Sequence, residues 1–280
     1  TRRSSDLQFN VDQVQGCHPL AAVLTNTSQG MFSASWNLGD GVTSTDTTAA
    51  QGHTWYNFLG PGPVTYPISL TVASADGCTN TATAQVEVFP QVTAAFVADS
   101  AGCSPMDPGF VNVSSGASGF LWTFGDGGGS NQQNPAHTYF NEGLNDVAFT
   151  PILVASSAFG CSDTASFPIL VHPSPIAQFI PSGPAGCTPF AVTFDDQTIG
   201  ASTMDWQFGD GAFEAGAPGD VQHTYTNSGN TPMFFDARLI ATSGFGCTDT
   251  ATHQIQVYPP VTALFEAPEE GCAPFTVSIT

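Results

Sequence analysis

The chain has 280 residues and a formal net charge of −20, with 23 acidic residues against three basic ones. Nucleic acids and anionic membrane surfaces are held by clustered Lys and Arg side chains, so this composition excludes both as partners bound by charge. No apolar run approaches the roughly 18 residues of a membrane span, and we therefore expect no membrane insertion.

Internal repeats organise the sequence. A motif of the form Trp-x-Phe/Leu-Gly-Asp-Gly occurs at Trp36–Gly41, Trp122–Gly127 and Trp206–Gly211. Each copy is followed by a His-Thr-aromatic motif, at His53–Trp55, His137–Tyr139 and His223–Tyr225. The spacing defines a unit of about 85 residues, which is long enough for one modest hydrophobic core.

In chain order, each unit has the pattern of about seven short strands separated by turns, which is typical of a β-sandwich. In the second unit, the alternation predicts strands over 92–98, 110–114 and 120–124, a Gly-Asp-Gly turn, and a sixth strand over 147–155. Pro67 and Pro151 fall inside the sixth strands of their units. We expect a bulge or an unpaired edge there, because proline has no N–H to donate.

Proline-containing links mark the predicted boundaries, at Phe89-Pro90, His172–Pro175 and Tyr258–Pro260. They predict three domains, at 1–90, 91–174 and 175–260, and the start of a truncated fourth domain at 261–280. Short proline-stiffened links favour domains stacked end to end as a semi-rigid rod. The first residues are no signal peptide and the last ones fall inside an expected strand, so we expect a chain that continues past both ends.

The two motifs resemble those of the polycystic-kidney-disease (PKD) repeat, an immunoglobulin-like β-sandwich, and the resemblance covers nearly the whole chain. It implies an all-β fold of tandem immunoglobulin-like domains. PKD arrays with cysteine in each unit are common in secreted and surface proteins of Bacteroidetes-type bacteria. The resemblance therefore also implies a secreted, cell-surface-associated protein.

Cysteines recur at two positions of the repeat. Four precede the second strand of their units, namely Cys17, Cys103, Cys187 and Cys272. Three lie in the turn before the last strand, namely Cys78, Cys161 and Cys247. A regular framework of this kind, without a Cys-x-x-Cys motif, favours disulfides over a zinc site or a catalytic thiol.

An immunoglobulin-like sandwich leaves two pairings open, with free thiols as the remaining alternative. One bridge per domain would join Cys17–Cys78, Cys103–Cys161 and Cys187–Cys247. In a sandwich whose termini lie at opposite ends, however, these partners sit at opposite ends of strands about 17–20 Å long, whereas a disulfide needs Cα atoms within roughly 7 Å. The favoured pairs therefore join neighbouring domains, Cys17 to Cys161 and Cys103 to Cys247, and the other cysteines would bond to units outside the sequence.

The repeated motifs also supply candidate site residues. Their aspartates, Asp40, Asp126 and Asp210, are predicted to be turn residues, with calcium as the alternative because some PKD modules bind it; no other cofactor is expected. Their tryptophans, Trp36, Trp122 and Trp206, are predicted core residues, and the histidines of the second motif are predicted to pack or to form hydrogen bonds. Trp55 is predicted to lie in the core, with a sugar-stacking platform as its alternative.

Modification and catalysis complete the candidates. An Asp-Ser/Thr-apolar pattern, which Bacteroidetes use for O-glycosylation, marks Thr47, Ser100, Thr164 and Thr250. No Gly-x-Ser-x-Gly, His-Glu-x-x-His or paired-carboxylate arrangement is present, so we expect no enzyme.

Together these features predict a disulfide-stabilised structural segment of an extracellular adhesin shaft or surface fibre. Its partners would be neighbouring PKD-like units of the same chain and identical chains in a fibre, with a glycan or surface ligand as a further candidate. The alternative is a spacer or substrate-binding arm of a secreted hydrolase. That alternative predicts exposed aromatic side chains in line on one face.

Overall fold

The structure, a computed structural model, describes residues 8–216 and 219–263, and every regular element in these ranges is a β-strand. Cys272 and nearly all of the predicted fourth domain lie outside the described residues. The chain divides into two compact units: residues 1–100, 107–138 and 148–170, and residues 101–106, 139–147 and 171–280. In the described ranges no helix is long and apolar enough to cross a membrane.

The first unit contains a complete two-sheet sandwich. Its strands are β1 (Phe9–Val11), β2 (Gln15–Cys17), β3 (Leu20–Asn26), β4 (Ser33–Asn37), β5 (Thr43–Ser44), β6 (Ala50–Trp55), β7 (Val64–Ala73) and β8 (Thr79–Phe89). One sheet has the order β1-β3-β6 and the other the order β2-β8-β7-β4-β5. The short strand β2 runs parallel to β8, whereas the other described pairs in this sandwich are antiparallel.

Alternation along the strands places one face of each sheet inside this sandwich. Leu24 comes from the three-stranded sheet, and Trp36, Leu70 and Val86 come from the five-stranded sheet; all four lie in one core and are at most 1% exposed. Burying an apolar side chain of this size contributes roughly 1.5–3 kcal/mol. Trp36, predicted to be a core residue, therefore lies in a core to which both sheets contribute side chains.

Nine strands follow in the middle of the chain. They are β9 (Phe96–Val97), β10 (Ala101–Cys103), β11 (Val111–Asn112), β12 (Gly119–Thr123), β13 (Gly129–Ser130), β14 (Val147–Phe149), β15 (Ile152–Ser156), β16 (Ser162–Ser166) and β17 (Ile169–His172). Within the first unit, β11 pairs with β9, and a four-stranded sheet has the order β13-β12-β15-β16.

The second unit contains another complete sandwich. Its strands are β18 (Phe179–Pro181), β19 (Ala185–Cys187), β20 (Phe190–Asp196), β21 (Thr203–Gln207), β22 (Phe213–Glu214), β23 (Val221–Tyr225), β24 (Met233–Thr242) and β25 (Thr248–Tyr258). The sheets β18-β20-β23 and β19-β25-β24-β21-β22 repeat the topology of the first unit strand for strand. The all-β, immunoglobulin-like sandwich expected from the resemblance is confirmed.

The two prolines of the sixth strands behave differently. Pro151 lies at an interruption, because β14 ends at Phe149 and β15 begins at Ile152. Pro67 instead stays inside the continuous strand β7, opposite Gln85 and without a bulge. On the other side of β7, strand β4 ends before it reaches Pro67. The unpaired backbone of Pro67 lies beside the turn glycine Gly39. Of the two expected solutions, this strand uses the unpaired edge.

Candidate functional site

Each Gly-Asp-Gly turn is closed by its own aspartate. In the second repeat, Oδ1 of Asp126 accepts the N–H of Gly128 at 2.9 Å, and Oδ2 lies 2.7 Å from Nε2 of His137. The same two contacts recur around the other turn aspartates, Asp40 with His53 and Asp210 with His223. Both carboxylate oxygens are therefore engaged within the protein. In the described part of the chain, no group of three or more His, Cys, Asp or Glu is placed to hold a metal ion.

Hydrogen bonds keep the carboxylates of Asp126 and Asp210 ionised. Burial opposes ionisation of Asp126, yet the Gly128 N–H and the His137 side chain outweigh it and hold the pKa of this carboxyl below its usual value. For Asp210, burial is likewise outweighed by His223 and the Ala212 N–H, and the pKa is again lowered. A lowered pKa in the folded state means that these turns stabilise the fold above the usual Asp pKa and lose that contribution in acid.

The aromatic residue of the second motif connects the two sheets of a sandwich. The Tyr225 hydroxyl donates to the carbonyl of Phe208 at 3.0 Å, and in the first repeat the Trp55 indole N–H donates to the carbonyl of Leu38 at 2.8 Å. Burial, followed by the charge of Asp210, raises the pKa of the Tyr225 hydroxyl. Because Trp55 is 0% exposed, the sugar-stacking alternative is wrong for this residue.

A repeated buried asparagine was missed by sequence reasoning. Asn57, Asn141 and Asn227 each stand two residues after the aromatic residue of the second motif, and each is at most 7% exposed. Nδ2 of Asn57 donates to the carbonyls of Gly62 and Val88, both at 2.9 Å, and so ties a loop to the end of β8. The fixed spacing of this residue in all three repeats is the signal that could have revealed it.

Two disulfides join cysteines of neighbouring repeats. In the first unit Cys17 bonds Cys161, with Cα atoms 5.6 Å apart, and in the second unit Cys103 bonds Cys247, with Cα atoms 5.5 Å apart. Each pair is separated by 144 residues in the sequence. These are the pairs that the topological argument favours, and the one-bridge-per-domain pairing does not form. Cys78 and Cys187 are exposed free thiols.

The first cysteine of each repeat, which the sequence places only as preceding the second predicted strand, belongs to a short strand of its own. Cys17, Cys103 and Cys187 are the last residues of the short strands β2, β10 and β19. Strands β2 and β19 run parallel to the last strand of their sandwich, which places Cys17 opposite Phe89 and Cys187 opposite Tyr258. A three-residue strand is too short to show alternation, so the sequence pattern could not reveal it.

The bond in the first unit lies in an apolar setting. Phe89 stacks on Phe159, with ring centroids 5.1 Å apart and planes at 18°. Cys161 is 4% exposed and belongs to a small buried cluster with Val92 and Ala155. We call this set, together with the disulfide, the first junction.

A carboxylate fixes the linker of the first junction. Oδ2 of Asp163, two residues after Cys161, accepts the N–H of Ala94 at 2.8 Å. This hydrogen bond holds the pKa of the Asp163 carboxyl below its usual value.

The bond in the second unit has a more polar setting. We call this bond and the residues around it, described next, the second junction. His172 stacks on Phe245, with centroids 4.1 Å apart and planes at 9°, and its Nδ1 lies 2.9 Å from Oδ1 of Asp146. Cys247 is 1% exposed. Oδ2 of Asp249 accepts the N–H of Ala177 at 2.8 Å, as Asp163 does for Ala94 in the first junction.

Comparison with known sequences finds one family that part of the chain resembles. The sequence profile of the PKD domain matches residues 172–257, which hold the third copy of both motifs. This segment is similar to the PKD domain. The two earlier repeats carry the same turn, histidine and asparagine contacts, and they are PKD-like repeats. No curated protein sequence matches the chain.

Solved structures of several kinds are similar to the chain. The PKD1 domain of the Vibrio cholerae metalloprotease PrtV is 25% identical, covering 30% of this chain and 94% of that domain, with a TM-score of 0.24. The D1–D4 ectodomain fragment of ICAM-5 is 10% identical, covering 92% and 77%, with a TM-score of 0.48. A structure from a 1.5-MDa bacterial ice-binding adhesin is 12% identical, covering 91% and 99%, with a TM-score of 0.30.

The four predicted O-glycosylation residues of the PKD-like repeats, Thr47, Ser100, Thr164 and Thr250, are all exposed. The aspartates that precede two of them, Asp163 and Asp249, are already engaged by backbone N–H groups in the junctions. These aspartates therefore have a structural role of their own, and glycosylation at the four residues stays a prediction.

Proposed function

We propose that this chain is a structural segment of an extracellular adhesin shaft or surface fibre, in which covalent bridges hold successive PKD-like repeats together. The pairing of the disulfides carries the proposal, since each bridge joins a cysteine of one repeat to a cysteine of the next. A bridge inside one repeat would stabilise that repeat alone. A bridge between repeats also limits how far the two can be pulled apart.

The size of the bridged loops fits a mechanical role. Each bridge spans a sequence separation of 144 residues, and closing a loop of this size stabilises a fold by roughly 2–5 kcal/mol. The loops overlap, so every residue between Cys17 and Cys247 lies inside at least one of them. Fully extended, the residues of one loop would span roughly 500 Å at about 3.5 Å per residue. An intact bridge prevents this extension when the chain is pulled from its ends.

Composition supports the same role outside the cell. Disulfides persist in oxidising compartments, and two of them here are the covalent framework of the chain. A net charge of −20 with only three basic residues opposes non-specific association with nucleic acid and with anionic surfaces. The proposal includes no catalytic activity and no cofactor.

Single-molecule stretching tests the proposal. The chain would be pulled from its two ends, using a Cys103→Ser/Cys247→Ser variant in which Cys17–Cys161 is the remaining bridge. Adding a reductant should increase the fully unfolded length by roughly 500 Å, since the residues of that loop become extensible. A Cys78→Ser/Cys187→Ser variant, which keeps both bridges, is the matched control and should stretch like the unaltered chain.

A stretching curve that does not change with reductant would contradict a mechanical role for the bridge. A gain much smaller than the loop length would also count against the proposal, because it would mean that force bypasses the bridged loop.

A group of exposed rings favours the second candidate function, a substrate-binding arm of a secreted hydrolase. In the first repeat, Tyr56 and Phe58 are 48% and 75% exposed and stack with centroids 5.5 Å apart and planes at 7°. The His18 ring lies edge-on to Phe58 at 4.8 Å, and its Nδ1 accepts the N–H of Asn57 at 2.8 Å. Exposed apolar groups held rigidly in this way often mark binding surfaces.

Affinity electrophoresis through gels containing neutral polysaccharides tests this second function. A bound polysaccharide should retard the chain, and Phe58→Ala should abolish the retardation. Phe213→Ala is the matched control, because Phe213 is also 75% exposed but lies in β22 of the other unit. Equal mobility of the chain with and without each polysaccharide would argue against a binding arm.

A further inference from the structure

The two disulfides overlap along the chain, and the overlap determines how the bonded cysteine pairs are connected. In sequence order the four cysteines are Cys17, Cys103, Cys161 and Cys247, and the bonds join the first to the third and the second to the fourth. The chain therefore runs from the Cys17–Cys161 bond to the Cys103–Cys247 bond, returns to the former, and runs to the latter again. Three stretches of chain connect the same two bonds.

These three stretches, which we call the connections, are covalently in parallel and differ in length. The first and the third each have a sequence separation of 86 residues, from position 17 to 103 and from position 161 to 247. The second, from position 103 to 161, has a separation of 58 residues. Because all three join the same pair of bonds, the shortest one limits how far the bonds can be pulled apart. That limit is roughly 200 Å at about 3.5 Å per residue.

Each connection carries the core and turn of one repeat. The core tryptophans Trp36, Trp122 and Trp206 lie one in each connection and are at most 1% exposed. The Asp–His contacts of the Gly-Asp-Gly turns are also distributed one to a connection, and each measures 2.7 Å. Each connection must therefore lose a buried tryptophan and a closed turn before it can extend fully.

One bridge per repeat would connect the chain differently. Loops closed within single repeats would follow one another without overlap, and single stretches of chain would join them. One cut in such a stretch would divide the molecule. With the observed bonds, every peptide bond between Cys17 and Cys247 lies in one of three connections that share both end points.

We propose that the overlapping bonds protect this segment against damage. The stretch from Cys17 to Cys247 stays covalently joined when any two of its three connections are cut, and it stays short when either bond is lost. The inference rests on the proposed function, because a tolerance of damage serves a segment that carries tension between its ends. It goes further in assigning that tolerance to the pair of bonds, since one bond alone does not provide it.

The covalent paths show how little length the loss of one bond releases. With both bonds, the shortest path from Cys17 to Cys247 uses the 58-residue connection, and with either bond alone it uses an 86-residue connection. The difference adds only roughly 100 Å at about 3.5 Å per residue. Losing the second bond as well frees the full separation of 144 residues, or roughly 500 Å. The large extension therefore requires the loss of both bonds.

One exposed loop recurs in every connection and offers the same point of attack. It follows the buried asparagine of each repeat and contains Gly60, Gly143 and Gly229, all three of which are exposed. Exposed loop tips are preferred sites of proteolysis, and each cut hydrolyses one peptide bond and consumes one water molecule. A protease that recognises this loop must cut each connection separately, so a single event leaves two connections intact.

Site-specific cleavage tests the tolerance of cuts. A recognition site for a sequence-specific protease is inserted after Gly60, Gly143 or Gly229, singly, in pairs and all together. All proteins carry serine in place of the cysteines outside the two bonds, as Cys78→Ser, Cys187→Ser and Cys272→Ser. In denaturing electrophoresis without reductant, one or two cuts should leave a single species of full mass. Three cuts should give two species, residues 1–60 bonded to 144–229 and residues 61–143 bonded to 230–280.

The matched control carries the same insertions in Cys103→Ser/Cys247→Ser. Only the third connection then joins Cys161 to position 247, so a single cut after Gly229 should divide this variant and leave the parent whole. A parent that divides after one or two cuts would overturn the proposal. So would a parent that stays in one piece after all three cuts, because its bonds would then connect the chain in another way.

Stretching tests the limit on length. Pulled to full extension without reductant, the parent should be roughly 100 Å shorter than either Cys17→Ser/Cys161→Ser or Cys103→Ser/Cys247→Ser, and these two should be equal in length. A variant with all four substitutions should be roughly 500 Å longer again. The fully extended length counts residues along the covalent path and does not depend on the stability of each variant.

Failure of this inference can be distinguished from failure of the proposed function. If Cys103→Ser/Cys247→Ser extended as far as the variant without bonds, the remaining bond would bear no tension and the proposed function would fail. If the parent extended as far as the two single-bond variants, or if those two differed in length, the parallel connections would be overturned while the proposed function stands.

Discussion

The first and second junctions share a covalent framework but differ in the ring pair beside it. Both have a 144-residue separation, a buried turn cysteine and a carboxylate that accepts a linker N–H. In the first junction the ring pair is Phe89 on Phe159, whereas in the second it is His172 on Phe245, with Asp146 hydrogen-bonded to the histidine. The bond and the carboxylate are therefore the constant parts, and the chemistry of the ring position varies independently of them.

Removing the bonds should have the largest effect. We expect Cys17→Ser/Cys161→Ser and Cys103→Ser/Cys247→Ser each to lower the free energy of unfolding by roughly 2–5 kcal/mol, because each frees a loop of the same length. Calorimetry of the two double variants would measure this. The Cys78→Ser/Cys187→Ser variant removes the same number of sulfurs without breaking a bond and should unfold like the parent.

A large difference between the losses in unfolding free energy of the two double variants would mean that the two bonds are not equivalent. It would show that the setting of a bond, and not the length of its loop, determines what the bond contributes.

Truncating the ring that lies two residues before the turn cysteine, Phe159 or Phe245, should have an intermediate effect. Phe159→Ala should cost about 1 kcal/mol, since a stacked aromatic pair contributes roughly 0.5–1.5 kcal/mol beyond the area it buries. Phe245→Ala should cost less, because Phe245 is 58% exposed and Phe159 only 42%. Urea unfolding would measure both, with the 75% exposed Phe213→Ala as the control. Equal losses in the two junctions would show that ring burial does not set the contribution.

Replacing His172, the ring at the end of the last strand, by Phe makes the second junction resemble the first, which has Phe89 at this position. His172→Phe keeps a ring against Phe245 but loses the contact with Asp146, which is partly exposed and can bind water instead. We expect the stability to change by less than about 1 kcal/mol. His172→Ala, which loses the ring as well, should be the more damaging of the two in thermal unfolding. If both variants lost equal stability, the Asp146 contact and not the ring would be the important element.

The sequence contains enough information for the framework of the junctions. The Trp-x-Phe-Gly-Asp-Gly motif predicts the core through Trp36 and Trp206, because a repeated turn beside an alternating strand leaves few other folds. The cysteine pairing also follows once a sandwich is assumed, since strand length separates Cys17 from Cys78 by more than a disulfide can span.

The ring pairs could not be predicted in the same way. Phe89 and Phe159 are far apart in the sequence, and each has the pattern of an ordinary strand-end or turn residue. Phe89 lies opposite Cys17 of the short strand β2, whose three residues carry no periodic signal. The buried Asn57 could have been recognised from its fixed position two residues after the aromatic residue of the second motif.

The smallest expected effect concerns the carboxylate of the first junction. The Ala94 N–H lowers the pKa of Asp163 in the folded chain, so the ionised group stabilises the fold above the usual Asp pKa of about 3.9. That contribution is lost as the pH falls through the lowered folded-state pKa. Asp163→Asn should therefore be less stable than the parent near neutral pH, and the difference should shrink in acid. Thermal unfolding of both proteins over a pH series would measure it, with Glu142→Gln controlling for the loss of one exposed negative charge. If the stability difference between the parent and Asp163→Asn stayed constant down to about pH 2, the Ala94 hydrogen bond would not depend on the charge of Asp163. The side chain would then stabilise the linker as a neutral hydrogen-bond acceptor.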